Sequence, residues 1–477
     1  MFDDLRDFIK KADELGECQV IEGADWDSEI GAIGDLMSQR PESPLLLFDK
    51  IKGYPAGYRV ASNLATTQRR IALVFGLPQE AKGIELVRAF RQRLEEDMKP
   101  IPPVEVDSGP VKENILTGKD IDLYKFPTPK WHELDGGRYI GTGSAVVSRD
   151  PDDGWINLGT YRVQVQDKST VTMSLTPGHH GHVIAKKYWD KGLPCPMAIC
   201  CGQAPLVFAA AHFEIPWRYS EYDWAGGWQK KPVKVIRGVA TDLPIPATAE
   251  IVLEGEMIPP GKETLPEGPF GEWAGYYAGG VRQMPPFKVK AVLHRNNPII
   301  QGNPPSVLPR VWCVGRHIQM AAELWHELDR QLPGVAGVWV VEEGSIHSIV
   351  VISLKQLYGG HAKQAALVAA GALVTAYSAR YIIVVDEDID PSNISDVLWA
   401  LGTRSEPSEI ETINGCWGSY ANPRLTPEQR KINDREHSVG LILACKPYKW
   451  MKDFPASVRT SPEMAKRVRD KYPQIFR

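Results

Sequence analysis

Near residue 320 the spacing of the apolar residues changes, and that change restricts the architecture more than any other feature of the sequence. From about 138 to 320 the chain runs through short β-branched and aromatic segments, SAVVS, YRVQVQ, TVTMSL, EIVLEGEMI and FKVKAVLH, each closed by Gly, Pro or Asp. Such runs suit a mostly antiparallel sheet or a partly closed barrel, because branched side chains pack well on a pleated surface. Beyond 320, HIQMAAELWHELDRQL and a long Ala-rich helix after His361 alternate with VAGVWVVEE, HSIVVISL and YIIVVDEDID. Apolar strands set between helices belong to a sheet covered on both faces, with a buried parallel strand expected at Ile382 to Val385. The expected fold class is therefore mixed α/β (α+β), and no internal repeat or low-complexity tract is present.

At the start, Leu5, Phe8, Ile9, Ala12 and Leu15 fall at helical spacing, with Asp3 and Asp4 at the positive end of the helix dipole and Gly16 as a stop. Between Lys99 and Pro129 the prolines of KPIPPVEVDSGP and KFPTP suit an extended connector, so a boundary is placed near 110. The expected units are 1–110, 111–320 and 321–477, with a tail from Glu411 that holds few periodic runs and is expected to wrap over a neighbour.

A chain of 477 residues is long enough for two or three cores, and 55 basic against 59 acidic residues, with no basic run, argues against nucleic acid as a partner. The acidic N-terminus lacks the basic region of a signal peptide. The most apolar window, Gln364 to Ala379, is interrupted by polar residues and too short to cross a bilayer. Seven cysteines without a C-x-x-C pair fit reduced thiols, so a soluble cytoplasmic protein with no membrane partner is expected.

Three segments carry candidate chemistry. In WINLGTYRVQV, a turn over Leu158 to Thr160 would let Asn157 and Arg162 face one cavity. In SLTPGHHGH, His179, His180 and His182 sit in a Pro/Gly frame that can aim an imidazole at a metal ion or form an exposed polar turn. His180, Asn157 and Glu221 together would make a set suited to Mn²⁺ or Mg²⁺, whereas zinc-hydrolase motifs are absent. In LPEGPFGEWAGYYAGG, Glu267 and Glu272 lie among aromatic residues, where burial and like charge would push two carboxyls apart in acidity, the profile of a general acid.

In order, DLRDFIKKADELGE, FDKIKGYP at 48–55, INLGTYRVQV, the histidine loop, EIVLEGEM, EGPFGEWAGYY and IIVVDEDIDPSNISDVLWALGTR at 382–404 resemble the UbiD family of reversible decarboxylases, which use prenylated FMN. The resemblance spans nearly the whole chain. It implies an N-terminal α/β segment, a central prenyl-flavin domain with a split β-barrel core, and a C-terminal α/β domain that dimerises. It also implies Arg162, Glu267 and Glu272 as the catalytic set, and Asn157, His180 and Glu221 as ligands of a divalent ion, usually Mn²⁺, that joins the cofactor phosphate. Thr160 and Tyr161 beside Arg162 would border the cofactor, and Lys363 would contact its phosphate. The carbonyl of Trp155 and the Ala210 to Phe213 backbone resemble a K⁺ site.

On this resemblance the flavin derivative supplies the electron sink, Arg162 pairs with the substrate carboxylate or Glu267, and Glu272 donates the proton that replaces CO₂. His179 and Arg310 are specificity candidates. The rings of Trp273, Tyr276 and Trp417 favour a flat aromatic or heteroaromatic acid, with acrylic acids of the cinnamate type as the alternative. A flavin prenyltransferase of the UbiX type is implied as cofactor supplier, and a homodimer or higher homo-oligomer as the assembly. Two other readings are an FMN- or metal-dependent oxidoreductase or hydrolase, and a subunit that works only within a multi-subunit carboxylase. Retention of all six catalytic and metal positions weighs against the first and against a degenerate subunit.

Overall fold

A computed structural model describes residues 1–96, 98–307, 315–342 and 348–476. The opening helix, Leu5–Glu14, buries Leu5, Phe8, Ile9 and Ala12, and the Asp4 carboxylate caps it by accepting the Asp7 N–H at 2.8 Å. It ends at Gly16, whose positive φ of 71° a residue with a Cβ rarely adopts. Next to it, strands Cys18–Glu22, Leu45–Asp49 and Arg59–Ser62 form a small sheet whose fourth strand, Ile299–Gln301, comes from far along the chain. The polypeptide thus returns to its N-terminal region after completing the central sheet.

That central sheet runs in the order Tyr139–Gly141, Val163–Val165, Thr170–Met173, Pro286–His294, Ile251–Met257, Cys195–Cys201, Ser144–Arg149, Ile156–Gly159, with Asn114–Thr117 added beside Pro286–His294. Its pairings are antiparallel, and no hydrogen-bonded ladder joins the first strand to the last, so among the described residues the barrel stays open. Both faces are buried. Along Cys195–Cys201, Ala198 and Cys200 join one core cluster while Met197, Ile199 and Cys201 join the other. This is why Cys195–Cys201 shows no polar alternation.

The C-terminal sheet has the order Val335–Val340, Ile349–Leu354, Tyr381–Asp386, His437–Ala444, Glu411–Cys416. Tyr381–Asp386 is parallel to both its neighbours, as expected of the Ile382 to Val385 run. Two expectations need correction. The Ala-rich segment is two helices, His361–Gly371 and Leu373–Ala376, broken where Ala372 turns extended and the Thr375 hydroxyl takes the Ala369 and Ala372 carbonyls. The segment from Glu411 supplies two strands of this chain's own sheet before the chain continues into the exposed helix Pro462–Lys471. Among the described residues, no helix is long and apolar enough to cross a membrane.

An aromatic cluster ties the parts together. Phe90 lies 4.4 Å from Trp228 and Trp224 stacks on Trp228 at 5.2 Å, which fixes helix Glu221–Gln229 against the N-terminal helices. The first residue of that helix, Glu221, is thereby set at one wall of a cavity.

Candidate active site

A cavity of about 460 Å³ lies where strand Ile156–Gly159, the start of helix His180–Asp190, helix Glu221–Gln229, the loop after Glu267 and the segment after Cys416 meet. Its volume suits a small-molecule ligand. Leu158 and Gly159 belong to the strand and not to the expected turn, and the chain leaves the strand only after Gly159; Asn157, Thr160, Tyr161 and Arg162 nevertheless all line this space. So do His179, His180, Glu221 and Glu272.

At its base Arg162 is held by both glutamates. Its Nε and Nη2 donate to Oε1 and Oε2 of Glu267, each at 2.7 Å, and its Nη1 donates to Glu272 Oε1 at 2.5 Å. Burial disfavours its charge, but Glu272, Tyr420 and Glu267 more than offset this, so its pKa is held well above the ordinary arginine value. The two carboxylates therefore share one guanidinium instead of facing each other as a like-charged pair. Glu267 has no exposed surface, and Tyr139 Oη lies 3.4 Å from its Oε1. The turn between the glutamates needs glycine at 268, where φ is +91° and a Cβ would come within 2.5 Å of the Gly280 carbonyl. Gln164 Oε1 accepts the Gly268 N–H at 3.0 Å and fixes that turn to the central sheet.

In the same cavity, Asn157 and Glu221 are buried and His180 is half-buried. Glu221 Oε2 accepts the Leu158 N–H at 2.7 Å, yet burial still pushes its carboxyl up to about 8. The Asn157 amide nitrogen is buried without a partner. A buried carboxylate short of positive charge and an unpartnered amide donor suit a site that receives a cation together with an anionic oxygen. Among the described residues no three His, Cys, Asp or Glu side chains form a metal cluster, because this set has an amide as its third member. The His180 ring, whose pKa burial lowers, stands 5.3 Å from Trp155 and 5.0 Å from Trp217, which leaves its neutral form available as a ligand.

Other expected residues fall elsewhere. Lys363 is exposed, pairs with Glu411 and does not line the cavity, because it opens a helix on the C-terminal sheet. Besides Arg162, Arg316 reaches the cavity, where its Nη1 donates to the His212 carbonyl at 2.8 Å and its Nη2 meets Glu214. Arg316 thus sits on the same Ala210 to Phe213 backbone expected to face K⁺. The Trp155 carbonyl accepts the Asp150 N–H at 2.8 Å. Trp273 and Trp417 line the cavity, whereas Tyr276 is 61% exposed and does not. His179 sets its ring 5.4 Å from Tyr377, and burial lowers its pKa to about 4. Arg310 lies outside the described residues.

Sequence reasoning missed Ser174, Arg316, Tyr377 and Tyr420, which also line the cavity. Nothing local marks Tyr420 in WGSYANP, since it reaches the site only because strand Glu411–Cys416 ends beside it.

Residues 9–90, 103–307 and 316–441 match the N-terminal, Rift-related and C-terminal domains of 3-octaprenyl-4-hydroxybenzoate carboxy-lyase, the UbiD family. A phenolic acid decarboxylase of Bacillus subtilis (strain 168) is 33% identical over 427 residues, 86% of this chain and 87% of that protein. The structure is similar to the closed form of Sedimentibacter hydroxybenzoicus vanillic acid decarboxylase (ShVdcCD), with a TM-score of 0.85, 29% identity and coverage of 100% and 99%. It is also similar to an evolved dimeric form of the UbiD-class enzyme HmfF from Pelotomaculum thermopropionicum in complex with prFMN. That match has a TM-score of 0.80, 26% identity and coverage of 98% of each chain.

Proposed function

The chain belongs to the UbiD family of carboxy-lyases, and from the site it builds we propose that it removes CO₂ from an aromatic or heteroaromatic carboxylic acid, reversibly and without oxidation, with Glu272 as proton donor. The observation that carries this reading is that Arg162 and Glu272 line one cavity with Asn157, His180 and Glu221, while the buried Glu267 holds Arg162 from behind by two hydrogen bonds. The flat rings of Trp273 and Trp417, and relatives named for phenolic and vanillic acids, support an aromatic substrate.

Asn157, His180 and Glu221 would hold a divalent ion, Mn²⁺ or Mg²⁺, against the phosphate of prenylated FMN, with Thr160 and Tyr161 bordering the cofactor. When bound, the prenylated flavin supplies the electron sink for loss of CO₂. The protein does the rest. Glu267, paired in two bonds with Arg162, fixes the guanidinium plane, and the third bond holds Glu272 at the cavity edge. Glu272, which takes up one proton from solvent for each turnover, gives it to the carbon that lost CO₂, and Arg162 stabilises the carboxylate left behind. In the reverse direction Glu272 is the base.

Within this reading the chain is divided at about 110 and 320, with the flavin in the middle unit and a homodimer formed through the C-terminal one. K⁺ at the Trp155 and Ala210 to Phe213 carbonyls would share the His212 backbone with the Arg316 guanidinium. The cofactor reading is tested by co-expressing the chain with a UbiX-type flavin prenyltransferase and identifying the released flavin by absorbance and mass. Prenylated FMN in the wild type and its loss in His180→Ala are expected. Absence of any flavin from folded, Mn²⁺-supplied wild type would overturn the cofactor reading.

A further inference from the structure

Glu272 has two carboxylate oxygens, and only one of them is used by Arg162. The other, Oε2, faces Tyr420, whose hydroxyl lies 3.5 Å away and 3.4 Å from Ser174 Oγ. Tyr420 is held in this place from several sides. The Arg282 guanidinium stacks on its ring at 4.3 Å and donates to Ser174 Oγ at 2.6 Å, so one arginine holds both the ring and the serine beside its hydroxyl. Gly279 leaves the slot for the ring, since a Cβ there would meet Glu272 Oε1 at 3.0 Å and the Tyr420 ring at 3.3 Å. Behind the ring, Arg430 donates to the Tyr420 carbonyl at 3.0 Å and to that of Asn422 at 2.7 Å. Tyr420 follows strand Glu411–Cys416 of the C-terminal sheet, while Glu272, Ser174, Gly279 and Arg282 belong to the central part of the chain.

We propose that Tyr420 is a positioning residue by which the C-terminal sheet sets the Glu272 carboxylate for proton donation: its hydroxyl donates to Oε2 of the carboxylate that Glu272 becomes once its proton has gone to carbon. The inference rests on the decarboxylase reading for its chemistry and on the contacts above for its geometry. The charged and titratable groups around Glu272 are Arg162 with Glu267 behind it, Arg282, Tyr377 and Tyr420. Among them the Tyr420 hydroxyl is the neutral donor aimed at Oε2. Hydrogen bonds of this kind are often long before substrate binds and tighten as charge develops.

Two variants test it in cofactor-loaded protein, with Tyr420→Phe keeping the ring and Tyr420→Ala removing it. Tyr420→Phe is expected to lower kcat about ten-fold, the loss of one hydrogen bond to a charged group, while KM changes less than two-fold. The solvent deuterium isotope effect on kcat should rise, since the proton step becomes slower. Amide exchange over residues 268–281 should stay at the wild-type rate in Tyr420→Phe and accelerate in Tyr420→Ala. A Tyr420→Phe enzyme with wild-type kcat and isotope effect would overturn the proposal. So would a slow Tyr420→Phe enzyme whose 268–281 exchange is as fast as that of Tyr420→Ala, because that marks a packing role alone. If the wild type releases CO₂ from no acid tested, the decarboxylase reading fails, and exchange decides the contact by itself: no acceleration in Tyr420→Ala overturns it.

Discussion

Replacing Arg162 by leucine removes the guanidinium bonded to both site carboxylates and leaves Glu267, which has no exposed surface, without its two 2.7 Å partners. Breaking a buried ion pair on one side costs about 3–5 kcal/mol. Arg282, whose Nη2 lies 3.6 Å from Glu267 Oε2, remains as partial compensation, so the lower end, about 3 kcal/mol, is expected. Urea denaturation followed through tryptophan fluorescence measures this. Arg162→Lys keeps the charge but not the planar fork and should cost less, about 1.5–3 kcal/mol. Arg162→Leu combined with Glu267→Leu should cost less than the two single changes added together, because less charge is then left buried and unpaired. A decarboxylation assay on the same proteins should show both single variants at Arg162 slowed by about 10²-fold or more, the kinetic equivalent of about 3 kcal/mol. Wild-type stability in Arg162→Leu, or simple additivity in the double variant, would refute the reasoning.

Further predictions follow from the same geometry. His180→Ala and Glu221→Gln should keep wild-type far-ultraviolet circular dichroism yet retain less Mn²⁺ and less flavin after gel filtration, as metal analysis and absorbance will show. Gly268→Ala forces a Cβ against the Gly280 carbonyl, so kcat should fall at least ten-fold. In the C-terminal unit, hydrogen bonding to Arg404 holds the Asp388 carboxyl at about 2, against an ordinary 3.8. A lowered folded-state pKa stabilises above the unfolded value, so this contribution is complete above about pH 4 and lost as pH falls towards 2. Asp388 is partly solvated, which reduces the effect to about 1 kcal/mol, and Arg404→Met should remove the larger part of it in acid-denaturation curves, with Lys446 at 3.3 Å retaining the rest.

The parts of the site that were legible are those in which neighbours in sequence are neighbours in space. Asn157 to Arg162 is the end of a strand and the residues that follow it, His179 and His180 open a helix, and Glu267 to Glu272 is one Gly/Pro loop. Ser174, Arg316, Tyr377 and Tyr420 come from four separate segments, and only the tertiary fold brings them to the cavity. Lys363 shows the converse error, since a basic residue at a helix start resembles a phosphate ligand in sequence although this helix opens onto the surface. Strand periodicity identified the central sheet because its runs are β-branched. It overlooked His437–Ala444 because that run, HSVGLILA, is interrupted by Gly440, holds fewer β-branched residues than YIIVVD and is preceded by irregular chain. The break at Ala372 did carry a signal, the glycine at 371 on which the first helix ends, but it was outweighed by the alanines on either side.

The most direct test of the central claim is CO₂ release from a panel of aromatic and heteroaromatic acids by protein co-expressed with a flavin prenyltransferase and supplied with Mn²⁺, comparing the wild type with Glu272→Gln. The account predicts turnover of at least one acid by the wild type and a loss of about 10²-fold or more in the variant, with flavin and metal content unchanged. Flavin-loaded, metal-loaded wild type that releases no CO₂ from any of them, or a Glu272→Gln enzyme as fast as the wild type, would contradict it.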